Sequence, residues 1–387
     1  MKKLVLSGKR IITGTGSLKY LQELPYEKVM IITGGKSMIA AGVIERAKTC
    51  LENKKHPAQV EIYSGIQKNP TIQEVLKGVE KMKQWKPDCV LAIGGGSAMD
   101  CAKAMLLFYE FPNLNFNNVL EINSKGDIPV TRTTGLVCVP STSGTGSEVT
   151  RGTVITDPVR ELKVPIMTDV LRPDIAILDA EITMTMPSKI AAETGMDALT
   201  HAIEAYTNHN LDDFDEGLCR SAIEGIMEWL PVSCLSPSLE AREKIHNYQA
   251  MAGIGFANVG LGMVHGIAHS FGAVFNMAHG LTNAVILPYV LQYNSRDAVV
   301  AKKLENLSYH CKCENIIEEI KAMRGELGIP DSFLEAGITE EDYKAKYEIL
   351  LDHAMLGATN VNPVKMTVDE MRKMLDCVFY GNPVKNK

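Results

Sequence analysis

A change of period near residue 187 limits what this chain can fold into more than any other feature. Before it, short β-branched and apolar runs alternate with helical patterns: residues 29–33, 59–63, 89–93 and 135–139 have strand character, and 36–51, 71–85 and 97–109 have helical character. That alternation predicts βαβ units and a parallel sheet with helices on both faces. After Asp174-Ile-Ala-Ile-Leu-Asp179 the strand signals nearly stop. Pro187 then precedes a series of helical patterns, among them 189–206, 216–229, 239–256, 314–327 and 368–379. The expected architecture is an α/β domain over residues 1–187 of the nucleotide-binding type, followed by an all-helical domain over 188–387. A chain of 387 residues is in any case too long for one small core.

Composition narrows the partners. The net charge is −6 with Lys and Arg scattered, which argues against nucleic acid or an anionic membrane surface. No apolar run approaches the ~18 residues of a membrane span, and the opening Met-Lys-Lys-Leu-Val-Leu-Ser-Gly is too brief for a signal peptide. The nine cysteines are odd in number and dispersed, and Cys311 and Cys313 have the wrong spacing for a redox or zinc pair. They are expected to be reduced thiols in a cytoplasmic protein.

The helical half carries five residues with metal-ligand chemistry. Asp197 and His201 are four apart, so a helix sets them on one face one turn from each other. His265 and His269 repeat the spacing, and His279 follows at a distance that a helix, a turn and a second helix start would cover. A single histidine of this kind is usually a hydrogen-bonded core residue. Here His201, His265 and His269 sit among Ala, Leu, Val, Met and Gly, where burial without a strong partner would cost a few kcal/mol each. A shared metal is the simplest partner. One carboxylate with imidazoles suits Fe(II) or Zn(II), not Ca or Mg.

Two glycine-rich stretches interrupt the first half. Gly94-Gly-Gly-Ser97 follows a strand and opens a helix, where free N–H groups and the helix dipole receive phosphate, although a triple glycine also makes a plain tight turn. Ser141-Thr-Ser-Gly-Thr-Gly-Ser147 follows another strand, at the carboxyl edge where open α/β sheets bind ligands. A third loop, Gly34-Gly-Lys-Ser37, offers backbone N–H groups, an ammonium and a hydroxyl to an adenosine ribose, with no carboxylate to repel a 2′-phosphate.

Together, Gly94–Ser97, Ser141–Ser147, the run from Gly195 through Asp197 and His201 to Tyr206, Val264-His-Gly-Ile-Ala-His269 and Ala278-His-Gly280 resemble the iron-containing (group III) alcohol dehydrogenases, over essentially the whole chain. The resemblance implies a dehydroquinate-synthase-like fold, with a Rossmann-like dinucleotide domain, a helical metal-binding domain and an active site in the cleft between them. It places Asp197, His201, His265 and His279 on the four metal ligands and His269 on a non-ligand histidine near the nicotinamide. Gly94, Gly95, Gly96 and Ser97 match the pyrophosphate loop, Thr142 and Ser147 the hydroxyl-rich loop, and Asn69, Lys163 and Leu178 positions lining the dinucleotide. Two departures stand out: many NAD-dependent members carry an Asp where this chain has Gly34-Gly35, and a common Asn-Pro-Arg is Asn362-Pro-Val364 here.

The function these parts imply is hydride transfer between NAD(P)(H) and a small primary alcohol or aldehyde. The ion would polarise the substrate oxygen and His269 would pass its proton to solvent. Loop 34–37 tilts the cofactor towards NADPH. The alternatives are a metal-dependent lyase or cyclase of the dehydroquinate-synthase type with bound NAD, and a non-catalytic metal or nucleotide binder. A homodimer or larger homo-oligomer is expected from the resemblance.

Overall fold

The computed structural model describes residues 4–129, 131–159 and 162–384, which form two compact units, 1–186 and 187–387. Among its described residues the first unit contains eight strands: β1 (Arg10–Thr13), β2 (Lys28–Thr33), β3 (Gln59–Tyr63), β4 (Cys89–Gly94), β5 (Gly135–Pro140), β6 (Gly152–Asp157), β7 (Leu162–Met167) and β8 (Ile175–Leu178). Its helices are α1 (Ser37–Ala40), α2 (Val43–Glu52), α3 (Ile72–Trp85), α4 (Gly96–Glu110), α5 (Val119–Lys125) and α6 (Ala180–Thr183). Six strands make one sheet in the order β1-β8-β5-β4-β2-β3, and every pairing is parallel.

Both faces of that sheet are buried, as its near-continuous apolar strands require. Met30, Ile32, Val90, Ala92, Leu136 and Cys138 point to one side, where Val75, Val79 and Met82 of α3 and the apolar face of α4 meet them. Val29, Ile31, Leu91, Ile93, Val137 and Val139 point to the other, against Val43, Ile44, Ala47 and Leu51 of α2. Thr71 starts α3 with a capping box, its hydroxyl accepting from Glu74 N while the Glu74 carboxylate accepts from Thr71 N.

Three features depart from the sequence reading. Residues 36–51 are not one helix: Gly42, in the left-handed region at φ 70°, separates α1 from α2. The four-residue strand β1 was not expected. β6 and β7 form an antiparallel hairpin outside the parallel sheet, tied through Thr156 to the 69–71 loop by a parallel bridge to Thr71 and a bond from Thr156 N to Pro70 O.

Within its described residues the second unit is helical throughout: α7 (Ser188–Thr207), α8 (Asp213–Leu235), α9 (Leu239–Val259), α10 (Met263–Val274), α11 (His279–Asn294), α12 (Ala298–His310), α13 (Ile316–Glu326), α14 (Glu340–Ala354) and α15 (Val368–Tyr380). α7 is its centre, buried at nearly every position from Ala191 to Thr207 and packed on α8, α9 and α11. A helix buried on all sides belongs to the interior of a large helical unit. No single described helix is long and apolar enough to cross a membrane.

Candidate functional site

α7 presents Asp197 and His201 one turn apart, α10 presents His265 and His269 in the same way, and α11 begins with His279. Around Asp197 Oδ1 stand His279 Nε2 at 3.7 Å, His265 Nε2 at 3.8 Å and His201 Nε2 at 3.9 Å. Asp197, His265 and His279 form a group whose ligand atoms all lie within 4.8 Å of one another, and His201 falls outside that group. Its ring stacks between His265 at 4.6 Å and Phe256 at 4.3 Å. His269 is half-buried and stacks on His279 at 5.1 Å.

The donor set fits a borderline divalent ion. Bonds of ~2.1 Å in a tetrahedral site give ligand-to-ligand edges of about 3.4 Å, so the distances from Asp197 need only a small contraction. Asp197, His201 and His265 are almost wholly buried, whereas the His279 side chain is 28% exposed, so access is from its side. Burial raises the Asp197 pKa, but His201, His279 and His265 outweigh it and hold the carboxyl far below the ordinary range. Burial pulls the His265 pKa down, yet Glu204 and Asp197 push it up to about 9.

Two neighbours, Glu204 and Asn283, went unnoticed in the sequence. Glu204 Oε2 lies 2.5 Å from His265 Nδ1, and its Oε1 accepts from Val264 N at 2.7 Å, so one buried carboxylate both orients a ligand and sits on the N-terminus of α10. Asn283, one turn after His279, donates from Nδ2 to Asp197 Oδ1 at 2.6 Å. Asn362 accepts from Met263 N and donates to Asn294 Oδ1 and Val364 O, joining the start of α10 to α11. The signal was helical spacing: Glu204 is three residues after His201, and Asn283 four after His279.

Gly280 explains how His279 reaches the cluster. A Cβ there would lie 2.1 Å from the Glu193 carbonyl oxygen, so only glycine lets the start of α11 approach α7 this closely.

In the first unit the ends of β2, β4, β5 and β8 bring Gly34, Gly94, Gly95, Thr142 and Leu178 to one sheet edge. The register pairs Thr33 with Ile93 and Gly94 with Pro140. A Cβ on Gly96 would come 2.7 Å from Thr145 Cγ2, so this turn and the hydroxyl-rich loop touch. Gly35, Lys36 and Ser37 are exposed. Ser97 is half-buried in the first turn of α4, which has no side-chain cap. The Ser147 hydroxyl turns inward and donates to Asp100 Oδ1 at 2.8 Å. Beside it Lys103, fully buried and with its pKa lowered by that burial, donates to the carbonyls of Ser147, Thr150 and Gly152. Lys163 pairs with Thr156 in the hairpin that bonds to the loop carrying Asn69.

Comparison with known proteins identifies the family and the fold. Residues 8–180 match the family model described as iron-containing alcohol dehydrogenase, and residues 191–379 match that of the Fe-containing alcohol dehydrogenase family, C-terminal. The chain is 39% identical over 383 residues to the NADPH-dependent butanol dehydrogenase of Clostridium saccharobutylicum, covering 97% of each chain. It is 33% identical over 380 residues to an alcohol dehydrogenase of Thermococcus barophilus, covering 96% of this chain and 98% of that one. The solved iron-containing alcohol dehydrogenase of Thermococcus thioreducens superposes with a TM-score of 0.90 at 31% identity, over 98% of this chain and 100% of that one. These relatives are dehydrogenases, which favours oxidoreduction over the lyase or cyclase alternative. The chain belongs to the iron-containing alcohol dehydrogenase family.

Proposed function

We propose that the protein interconverts a small primary alcohol and its aldehyde. In this reading Asp197, His201, His265 and His279 hold Fe(II), with Zn(II) as a substitute, and NADPH is accepted at least as well as NADH. The observation that carries it is the buried carboxylate with three imidazole nitrogens 3.7–3.9 Å away. When bound, the ion supplies Lewis acidity at the substrate oxygen and the nicotinamide supplies the hydride chemistry. The remaining work falls to the chain. Glu204 accepts from His265 Nδ1 and so turns Nε2 into the cage. His269, half-buried against the most exposed of the four ligands, is suited to carry a proton between the reacting oxygen and solvent.

For the dinucleotide, the uncapped N-terminus of α4 at Gly95-Gly96-Ser97, following Gly94, suits a diphosphate. Thr142, Leu178, Asn69 and Lys163 are assigned to its lining, and Ser147 acts by holding the loop through Asp100. Gly34, Gly35, Lys36 and Ser37 would face the adenosine ribose without a carboxylate, and the NADPH dependence in the clostridial relative's name supports that preference. The protein is expected in the cytoplasm as a homodimer or larger homo-oligomer, which a mass measured in solution checks.

The test is anaerobic assay of metal-stripped protein reloaded with Fe(II) or Zn(II), against short straight-chain aldehydes and alcohols with each cofactor. Turnover restored by metal, and lost together with bound metal in His279→Ala, is the expected result. Tightly retained NAD without net turnover would favour the lyase reading. A preference for NADH of about tenfold or more, or a cofactor ratio unmoved in Gly34→Asp, would reject the assignment of loop 34–37.

A further inference from the structure

Asn283 is fully buried, and its amide nitrogen lies against three candidate ligand atoms at once. It is 2.6 Å from Asp197 Oδ1, 3.2 Å from His265 Nε2 and 3.3 Å from His279 Nε2. An amide nitrogen carries two protons, so the carboxylate takes one and only one of the two imidazoles can take the other. The opposite end of the same carboxamide is buried too, and Asn283 Oδ1 makes no hydrogen bond among the described residues. Asp197 dictates this orientation, because turning the group over would set an amide oxygen against a carboxylate oxygen. A divalent cation among the same atoms inverts the preference. The amino protons would then face positive charge, and the unsatisfied oxygen would become the favourable end.

We propose that Asn283 is a two-position brace for the metal site. In the metal-free protein its amino group holds Asp197 and one of the two imidazoles at nearly their working separation, and the carboxamide releases them and turns over when an ion enters. The inference rests on the reading that these residues take a divalent ion, and it extends that reading by giving Asn283 control over the rate of entry. It makes Asn283 a positioning residue that stabilises the metal-free state more than the loaded one.

The experiment uses the full chain stripped of metal and reloaded with Co(II), whose visible absorbance follows uptake, with thermal midpoints recorded for both forms. Wild type is compared with Asn283→Ala, which removes the brace, and Asn283→Leu, which keeps its size but cannot donate. Both variants are expected to lose several degrees of thermal midpoint in the metal-free form and to stay near wild type when loaded. Both are expected to take up Co(II) about tenfold faster, the factor expected for one lost charge-assisted hydrogen bond. Equal loss of midpoint in both forms would mark an ordinary core asparagine and overturn the proposal, as would unchanged uptake in both variants. Failure of the wild type itself to bind Co(II) would overturn the metal reading and the brace with it.

Discussion

At the residue scale the candidate site depends on groups that never reach an ion. Glu204 is 4% exposed and divides its carboxylate between His265 Nδ1 and the amide of Val264, so it orients an imidazole and anchors the helix that carries it. Glu204→Gln keeps an oxygen for Val264 N but removes the charge that draws the Nδ1 proton. Metal affinity is expected to fall about 10- to 100-fold with the fold intact, measured by competition with a chelator. An unchanged affinity would show that packing alone orients His265. Asn362 has a comparable role without charge: the chain's departure at Val364 costs nothing visible, since Asn362 bonds only the backbone carbonyl there.

At the element scale the site exists because α11 begins in contact with α7. Gly280→Ala would drive a methyl group into the Glu193 carbonyl, and the start of α11 would have to withdraw, carrying His279 with it. The expected outcome is protein with its helical content retained but most of its metal lost, read by circular dichroism and metal analysis. Full metal content would show that α11 can shift without moving His279. Much at this scale was legible beforehand, because helical and strand periods are local. Asp197 with His201 and His265 with His269 declare shared helix faces by spacing, and the loss of strand patterns after Asp179 separates α/β from all-α sequence. What was hidden depends on pairings between distant segments. Arg10-Ile-Ile-Thr13 is too short and too little patterned to announce a strand, and becomes one by pairing with Ile175–Leu178. The β6–β7 hairpin leans on the 69–71 loop. That His201 stands apart while Asn283 points inward follows from how α7, α10 and α11 cross, which no period encodes.

At the scale of the whole molecule, acid stability is tied to a buried histidine. His246 on α9 is fully buried, and burial pulls its pKa down to about 4. Unfolded, the same side chain titrates near ~6.5. Above that pH neither state binds a proton there, while below it the unfolded chain gains one that the folded chain refuses. Stability is therefore lost as pH falls through this window, by ~2 kcal/mol at pH 5. Urea midpoints at pH 7 and pH 5 are expected to differ less in His246→Gln than in wild type, and an equal difference would assign the acid sensitivity elsewhere. The first strand sets a different kind of limit, one of timing. β1 pairs with β8, and the Asp179 carboxylate accepts from the amides of Gly16 and Leu18. On the ribosome the N-terminal segment must wait for the strand that receives it, ~10–35 s at 5–20 residues per second. Throughout that interval Ile11 and Ile12 are open to holdase chaperones and to wrong neighbours, joined by the β8-facing edge of β5 once that strand is made, and all of this precedes synthesis of the helical unit.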